Sequence, residues 1–208
     1  MIENLKLNIN KFKNISLKEK KNREDSFKIF IKEGFPNKKL EEWKFTDFNK
    51  IIVDNFKELN ADYETDSDQT IEKIKDFEHN SIVLINGKLK SSNFNFEDVK
   101  YIKIQEYKYD PTGTNKTSNS LINLNNALFE GGYSLEILNN YSFKKPLIIY
   151  NCFLDNLKNK IINNKNIIIL NKNTNLDLIE LNSDACENNF IQNNQTYIKI
   201  DENSSLKN

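Results

Sequence analysis

The sequence predicts a mainly β protein with a smaller helical part towards its N-terminus. After residue 133 the chain consists of short runs rich in Ile, Leu and Tyr, separated by polar, Asn-rich turns. Such runs indicate β-strands. Before residue 130, several segments carry apolar residues at helical spacing instead. The strand pattern alone leaves a sandwich, a barrel and a solenoid open, because the strands are unevenly spaced.

The first predicted helix occupies residues 16–33, and both of its ends are marked. Ser16 followed by Glu19 forms a capping box, in which the hydroxyl and the carboxylate each satisfy a free backbone N–H. Gly34 fits the left-handed position after the last turn, and Pro36 prevents the helix from resuming. Three apolar residues share one face and predict docking through the C-terminal half: Phe27, Phe30 and Ile31.

The only tryptophan, Trp43, lies in the charged stretch GFPNKKLEEWKFTDF, residues 34–48. Glu41 and Glu42 directly precede it. The ring either belongs to a binding surface or is a buried clamp between two pieces of structure. Its position between the Gly-Pro break and the next apolar cluster favours the buried clamp.

Three shorter helices and one hairpin are predicted between residues 48 and 132. The helices rest on three sets of apolar residues: Phe48, Ile51, Ile52 and Phe56; Ile71, Ile74 and Phe77; and Leu121, Leu124 and Leu128. We expect Gly131 and Gly132 to end the last of them. The run 82–85 is β-rich, and the Asn86-Gly87 pair after it is a strong hairpin signal. A further strand is predicted at 99–104.

Composition excludes some function classes. Lys and Arg total 30, as do Asp and Glu, so the net charge is zero. This removes the simplest electrostatic case for binding nucleic acid or a membrane surface. The start of the chain lacks an apolar signal region, no run of about eighteen apolar residues exists, and two cysteines are too few for a disulfide scaffold. We therefore expect a cytoplasmic protein.

No catalytic, cofactor-binding or metal-binding residue is assigned from the sequence. The single histidine, His79, stands at a predicted helix end, where a capping or surface role is typical. Cys152 follows an apolar run and is expected to pack as a small hydrophobe, and Cys186 has no CxxC partner. Glu180 alternates with apolar neighbours, so it points either into or out of a sheet. Phosphate-loop motifs are absent from the sequence.

Four segments in order resemble SufD, a component of the SUF system for iron–sulfur cluster assembly. The first, GFPNKKLEEWKFTD, matches the family pattern G-[FL]-P followed by E-x-W-[KR]-[YF]-T. The others are IVLINGKLKSS, SLINLNNALFEGGYSLEI and NIIILNKNTNLDLIEL. The matched residues of the first segment are Gly34, Phe35, Pro36, Glu41, Glu42, Trp43, Lys44, Phe45 and Thr46. The sister protein SufB has a different N-terminal lead-in.

The resemblance implies a fold and a set of partners. It implies a mainly helical N-terminal domain with a short hairpin region over 1–117. A helix leading into an incomplete right-handed parallel β-helix follows over 118–208. SufD proteins are non-catalytic scaffold subunits that pair with SufB along the β-helices, while the ATPase SufC docks on a C-terminal domain. The iron–sulfur cluster is handled by the full complex, so no cofactor is expected on this chain alone.

The resemblance also predicts that the chain is a fragment or a truncated form. No capping segment follows the last predicted strand, 196–200. The later β-helix and the SufC-docking domain of the family have no counterpart, so no cluster-ligating residue carries over. Two other functions stay open: a carbohydrate-active enzyme on a β-solenoid, and a free-standing adaptor.

Overall fold

The computed structural model describes residues 5–63, 71–109, 117–154, 157–184 and 188–208. In these ranges the chain has mixed α/β content, with three α-helices and two mostly parallel sheets. The helices are α1 (Leu17–Glu33), α2 (Phe48–Asn55) and α3 (Ser120–Leu128). The strands are β1 (Asn80–Ile85), β2 (Lys88–Asn93), β3 (Ile102–Glu106), β4 (Tyr133–Ile137), β5 (Leu147–Phe153), β6 (Ile161–Leu170), β7 (Asn175–Asp184), β8 (Ile191–Ile200) and β9 (Ser205–Lys207).

Helix α1 has the predicted ends, with one change. Ser16 Oγ accepts a hydrogen bond from the Glu19 N–H at 3.1 Å, as a capping residue should. The Glu19 carboxylate does not complete the capping box. It accepts from Arg23 Nε at 3.0 Å and Nη2 at 2.9 Å instead, because a charged donor is a stronger partner than a backbone N–H. The helix ends before Gly34, whose φ of 74° favours glycine.

A row of aromatic rings joins the end of α1 to α2. The Phe30 and Phe35 ring centroids lie 5.2 Å apart, and Phe35 lies 5.7 Å from Phe48. Trp43 is the outer member of the row, 5.4 Å from Phe48. Phe30 and Phe35 are buried, whereas Trp43 is only half-buried. The corner is therefore fixed by phenylalanines, and the expectation of a buried tryptophan clamp is wrong.

The apolar face of α1 is narrower than predicted. Phe30 is fully buried and Phe27 is partly buried against the same cluster, but Ile31 is exposed. Arg23, two turns earlier, is buried instead. The helix therefore docks along most of its length through mixed apolar and charged groups, which a purely apolar pattern does not reveal.

Residues 71–79 form no helix, contrary to the prediction. Ile71 and Ile74 pack against an apolar cluster on the outer face of a sheet, where the chain runs in extended and bent conformations. The Ile74 N–H donates to Tyr150 Oη at 3.1 Å rather than to a backbone carbonyl one turn earlier. The three-residue spacing of Ile71 and Ile74 thus results from their packing on the sheet. The local sequence does not reveal this contact.

The predicted hairpin is confirmed. β1 pairs with β2 in antiparallel fashion across Asn86 and Gly87, which have φ values of 47° and 80°. Two successive positive φ angles are those of the tight turn that Asn-Gly favours. β1 also pairs in parallel with β5, so the hairpin extends a larger sheet.

From β4 to β9, consecutive strands alternate between the two sheets, whereas β1 and β2 share one sheet and β3 and β4 share the other. The five-stranded sheet has the order β2-β1-β5-β7-β9, and the four-stranded sheet has the order β3-β4-β6-β8. The five strands predicted after residue 133 are confirmed as β4 to β8, while β9 was not predicted. The strand expected at 99–104 begins only at Ile102, since Val99–Tyr101 form a short 3-10 helix. All strand pairs are parallel except β1 with β2 and β3 with β4.

Asparagines with left-handed backbone angles stack at the turns between strands. Asn140, Asn173 and Asn203 have φ values of 60°, 57° and 56°. Asn173 Nδ2 donates to Asn140 Oδ1 at 2.6 Å, across 33 residues of chain. Asn203 Nδ2 donates to Asn173 Oδ1 at 3.2 Å, across 30 residues. Asparagine tolerates this conformation, which explains the Asn-rich turns of the sequence.

Gly132 serves strand approach rather than helix termination. Helix α3 already ends at Leu128. Gly132 has a φ of 119°, and a Cβ atom there would lie 1.7 Å from the Lys165 carbonyl oxygen. The glycine thus allows the backbone before β4 to lie directly against the backbone of β6. The sequence pattern predicts a helix end here because this long-range contact cannot be seen in the local sequence.

Two apolar clusters form most of the core. One lies between the sheets and takes a buried residue from each of five strands: Ile82, Leu135, Ile149, Ile168 and Leu176. The other joins the helices to β6 through Phe30, Phe56, Leu124 and Ile161. Packing and strand pairing therefore cross residue 117, where the sequence predicts a domain boundary.

Candidate interaction surface

Strand β8 lies at an edge of the four-stranded sheet, where helix α3 contacts its first part through a hydrogen bond of 2.7 Å from Asn125 Nδ2 to the Asn193 carbonyl oxygen. It is the last strand of the four-stranded sheet and pairs only with β6 in the part of the chain that the structure describes. Its ten residues carry one charge, on Lys199. An edge strand offers unpaired N–H and C=O groups, and natural edges are usually protected by charges, proline or a bulge. β8 has little of this protection, so it is suited to pairing with another strand.

The core row of the four-stranded sheet continues onto this edge. Ile168 and Leu170 of β6 are fully buried between the sheets. Their partners in register on β8 are Ile198 and Ile200, which are 45% and 48% exposed. Residues paired in register on parallel strands point to the same side. These two isoleucines therefore continue the core row but are not covered by the described residues, and Tyr197 on the opposite face is 62% exposed.

Glu180 lies in the corresponding row of the five-stranded sheet. It follows Leu176 and Leu178 on β7, both buried, and pairs in register with Ile149. Its side chain is thus on the inward row, at the rim where the core becomes solvent-accessible. Partial desolvation by its neighbours raises the pKa of Glu180 above the ordinary value. The sequence left the direction of this residue open, and the structure turns it inward.

His79 lies in a stretch without a helix, so of the two expected roles, capping and surface, the capping role is wrong. Its Nε2 lies 2.8 Å from Tyr150 Oη, and its Nδ1 lies 3.0 Å from the Phe77 carbonyl oxygen. The imidazole ring also lies 5.9 Å from the Tyr150 ring. The histidine thus belongs to the contact between residues 71–79 and β5. This contact forms because residues 71–79 are not helical and lie against the sheet.

Cys152 is buried, as expected, and packs beside Val83 and Ile148 on the outer face of the five-stranded sheet. Cys186 lies outside the described residues. In the described ranges, no three His, Cys, Asp or Glu side chains are grouped so that they could hold a metal ion. No described helix has the length and apolarity needed to span a membrane.

Two buried cations, which sequence reasoning missed, hold the helical part against the sheets. The Arg23 guanidinium lies between the rings of Phe12 and Phe129, 3.9 and 3.8 Å from their centroids. It also donates to the carbonyl oxygens of Ala127 and Phe129 at 3.1 and 3.0 Å. The spacing of Glu19 and Arg23, one turn apart on α1, was the available signal.

Lys165 is the second buried cation and is 5% exposed. Its Nζ donates to Asn126 Oδ1 at 2.5 Å and lies 5.0 Å from the Phe129 ring centroid. Among the described residues no carboxylate lies within ion-pair distance of it. Burial, together with the nearby Arg23 charge, lowers the pKa of Lys165 to about 8.

An open groove of about 620 Å³ runs beside Tyr101 and Glu136. The Glu136 carboxylate accepts from Asn171 Nδ2 at 2.9 Å and from Lys103 Nζ at 3.1 Å. The bond from Asn171, followed by that from Lys103, lowers the pKa of Glu136. Both oxygens are engaged in holding strands together, so the carboxylate is positioned as a structural group rather than as a base.

Comparison with known proteins found no family model and no curated protein that matches this chain.

Proposed function

We propose that the chain is a SufD-like scaffold component of a SufB–SufC–SufD complex for iron–sulfur cluster assembly, built on a right-handed parallel β-helix. The observation that carries this proposal is the alternation of successive strands, β4 to β9, between two sheets that pair in parallel. A chain that winds in this way stacks one coil on the next. The asparagine stack at the turns, with its repeat of 33 and 30 residues, supports the same winding.

The positions of the four SufD-like segments also support the proposal. The Gly34-Phe35-Pro36 motif follows the last turn of α1, and the Asn86-Gly87 turn joins β1 to β2. The third segment contains α3 and leads into β4, and the fourth contains the end of β6, the turn after it and the first part of β7, which lie in different sheets. Each segment thus lies at a junction that sets the architecture. The resemblance of these segments to SufD therefore concerns the fold, and it does not extend to cluster-ligating residues.

In this proposal the chain contributes a surface rather than a reacting group. The second half of β8, with its exposed isoleucines, pairs on one side only among the described residues and is the part suited to strand pairing with SufB. The cluster is cargo of the whole complex, and ATP hydrolysis belongs to SufC. The balanced charge fits a protein partner better than nucleic acid or a membrane, and a cytoplasmic location goes with this role.

Co-expression of the tagged chain with SufB and SufC from the same genome tests the proposal. We expect SufB to co-purify with the chain in a fixed ratio. The Ile198→Lys variant should capture less SufB, since a lysine at the β8 edge opposes pairing. Val53→Lys, at a surface position of α2 that is 57% exposed against 45% for Ile198, serves as the matched control and should capture as much SufB as the wild type.

Absence of SufB from a preparation that circular dichroism shows to be folded would contradict the proposal. Equal loss of SufB in both lysine variants would contradict the placement of the interface on β8, while leaving the association itself intact.

A further inference from the structure

Residues 71–79 form a strap across the outer face of the five-stranded sheet. Ile71 and Ile74 pack on the cluster that contains Val83 and Tyr150, and Lys73 Nζ donates to Ser81 Oγ at 3.0 Å. Unlike a helix or strand, the strap has little backbone hydrogen bonding of its own among the described residues. Side-chain contacts therefore hold it in place, and the Tyr150 hydroxyl is the central one.

Three hydrogen bonds form a relay whose direction is determined by chemistry. The Ile74 N–H only donates, and it donates to Tyr150 Oη at 3.1 Å. The Phe77 carbonyl only accepts, and His79 Nδ1 lies 3.0 Å from it, so the Nδ1 atom must carry a proton. In a neutral imidazole the Nε2 atom is then unprotonated and accepts the Tyr150 O–H at 2.8 Å.

The relay is satisfied only when His79 is neutral. Protonation places a second N–H on Nε2, which then points at the oxygen that already accepts from Ile74. The Tyr150 hydroxyl proton loses its acceptor at a residue that is almost fully buried. A buried donor without a partner is costly, so the strap is destabilised relative to the released state. Histidine is the side chain whose charge ordinarily changes between pH 5 and 8.

We propose that residues 71–79 are a pH-sensitive strap, released from the sheet when His79 gains a proton. The released state uncovers the apolar cluster beneath Ile71 and Ile74 and frees a stretch of backbone for another contact. The strap thus couples mild acidification to exposure of a surface on the face opposite the main core.

The other charged groups around the strap do not give the same response. The hydrogen bond and ion pair with Lys145 lower the pKa of Glu78, so this carboxylate stays ionised under mildly acidic conditions. Glu72 pairs with Lys75 on the exposed side of the strap. The charged and titratable groups near His79 are, on the strap, Lys73, Lys75, Asp76 and Glu78, and, from the sheet side, Lys145 and Tyr150.

Nitrogen-15 NMR of the imidazole tests the relay directly, because His79 is the only histidine of the chain. At pH 7.5 we expect the tautomer protonated on Nδ1, which is the less common form of free histidine. A spectrum of the Nε2-protonated tautomer at that pH would overturn the proposal.

Hydrogen exchange followed by mass spectrometry tests the release. After correction for intrinsic rates, the Ile74 amide, which donates to Tyr150 Oη, should exchange about tenfold faster at pH 5.5 than at pH 7.5, the equivalent of one hydrogen bond. The midpoint should coincide with the titration of the imidazole. Amides of β1 serve as the internal control and should keep their protection at both pH values.

Two variants separate the relay from general acid sensitivity. His79→Gln cannot titrate, so its strap should exchange at the same corrected rate at both pH values. Tyr150→Phe removes the hydroxyl and should exchange fast at both. A pH dependence that persists in His79→Gln would assign the effect to other groups and overturn the proposal.

Discussion

At the scale of single residues, the junction between helices and sheets is built on two cations that share one aromatic ring. Arg23 and Lys165 both lie against Phe129, yet only Arg23 has a carboxylate, that of Glu19. Transfer of an ammonium group from water into such a site is unfavourable unless a charge or hydrogen bonds compensate it. Lys165 has one neutral acceptor, Asn126, so part of this cost remains in the folded state.

The effect of Lys165 on the free energy of unfolding changes with pH in one direction. Its folded-state pKa of about 8 is below the ordinary value of 10.5, so between these values the unfolded chain binds more protons. Stability therefore rises with pH across this window, and the full cost, on the order of 3 kcal/mol, applies below pH 8. Lys165→Met removes the group. The stability of this variant relative to wild type should fall by about 2–3 kcal/mol between pH 7 and pH 10, as measured by urea unfolding.

The control for this titration is Lys199→Met, at an exposed position of β8. Its difference from wild type should stay constant across the same pH range, since the ammonium there remains hydrated. A constant difference for Lys165→Met as well would mean that its ammonium is solvated or paired in the folded protein.

At the scale of elements, the corner between α1 and α2 depends on which ring lies at the centre of the aromatic row. Phe30 contacts Phe35 and is fully buried, whereas Trp43 touches the outer side of Phe48. The neighbouring Phe45 is 89% exposed. The stretch 40–46 thus contributes surface as well as packing, which reopens its use in binding.

Alanine substitutions in this row should differ in cost. Phe30→Ala leaves a cavity in the core and should lower the free energy of unfolding by about 3–5 kcal/mol. Trp43→Ala removes a half-buried ring and should cost about 1–2 kcal/mol, in proportion to the area withdrawn from water. Urea melts of the two variants decide the point. Equal losses would mean that the Trp43 ring is fully buried after all.

Most elements could be predicted from sequence because their causes are local. The Ser16 cap, the Asn86-Gly87 turn and the alternation of apolar residues in β4 act within a few residues of chain. The helix prediction for residues 71–77 is wrong because the conformation of this segment depends on Tyr150, more than seventy residues further along the chain. Among candidate site residues, the surroundings of His79 and Glu180 were equally set by distant strands.

At the scale of the whole molecule, stacking of strands on two sheets leaves edges, and the β8 edge is long and nearly uncharged. Its inward row continues the core row of β6. An edge of this kind associates with whatever strand is available, including another copy of the chain. Concentration-dependent self-association is therefore the expected behaviour of the purified chain.

Two lysine substitutions in the same row test this expectation. Ile198→Lys should reduce self-association in sedimentation velocity while lowering stability by less than about 1 kcal/mol, since the position is already in contact with water. Ile168→Lys, its register partner on β6, should prevent folding because the charge would be buried without a partner. A severe loss of stability in Ile198→Lys would show that this side chain is covered in the folded protein.

The sequence by itself determined the pieces of this protein: where most helices and strands lie, how α1 is capped, which turn makes the hairpin, and that Asn occupies the turns. These depend on backbone preferences and on side chains a few residues apart. Tertiary structure alone decided that the strands from β4 onward alternate between two sheets, that Arg23 is buried against Phe129, and that 71–79 is a strap on β5. Each of these rests on contacts between residues far apart in the chain, whose burial and hydrogen bonds outweigh local preference.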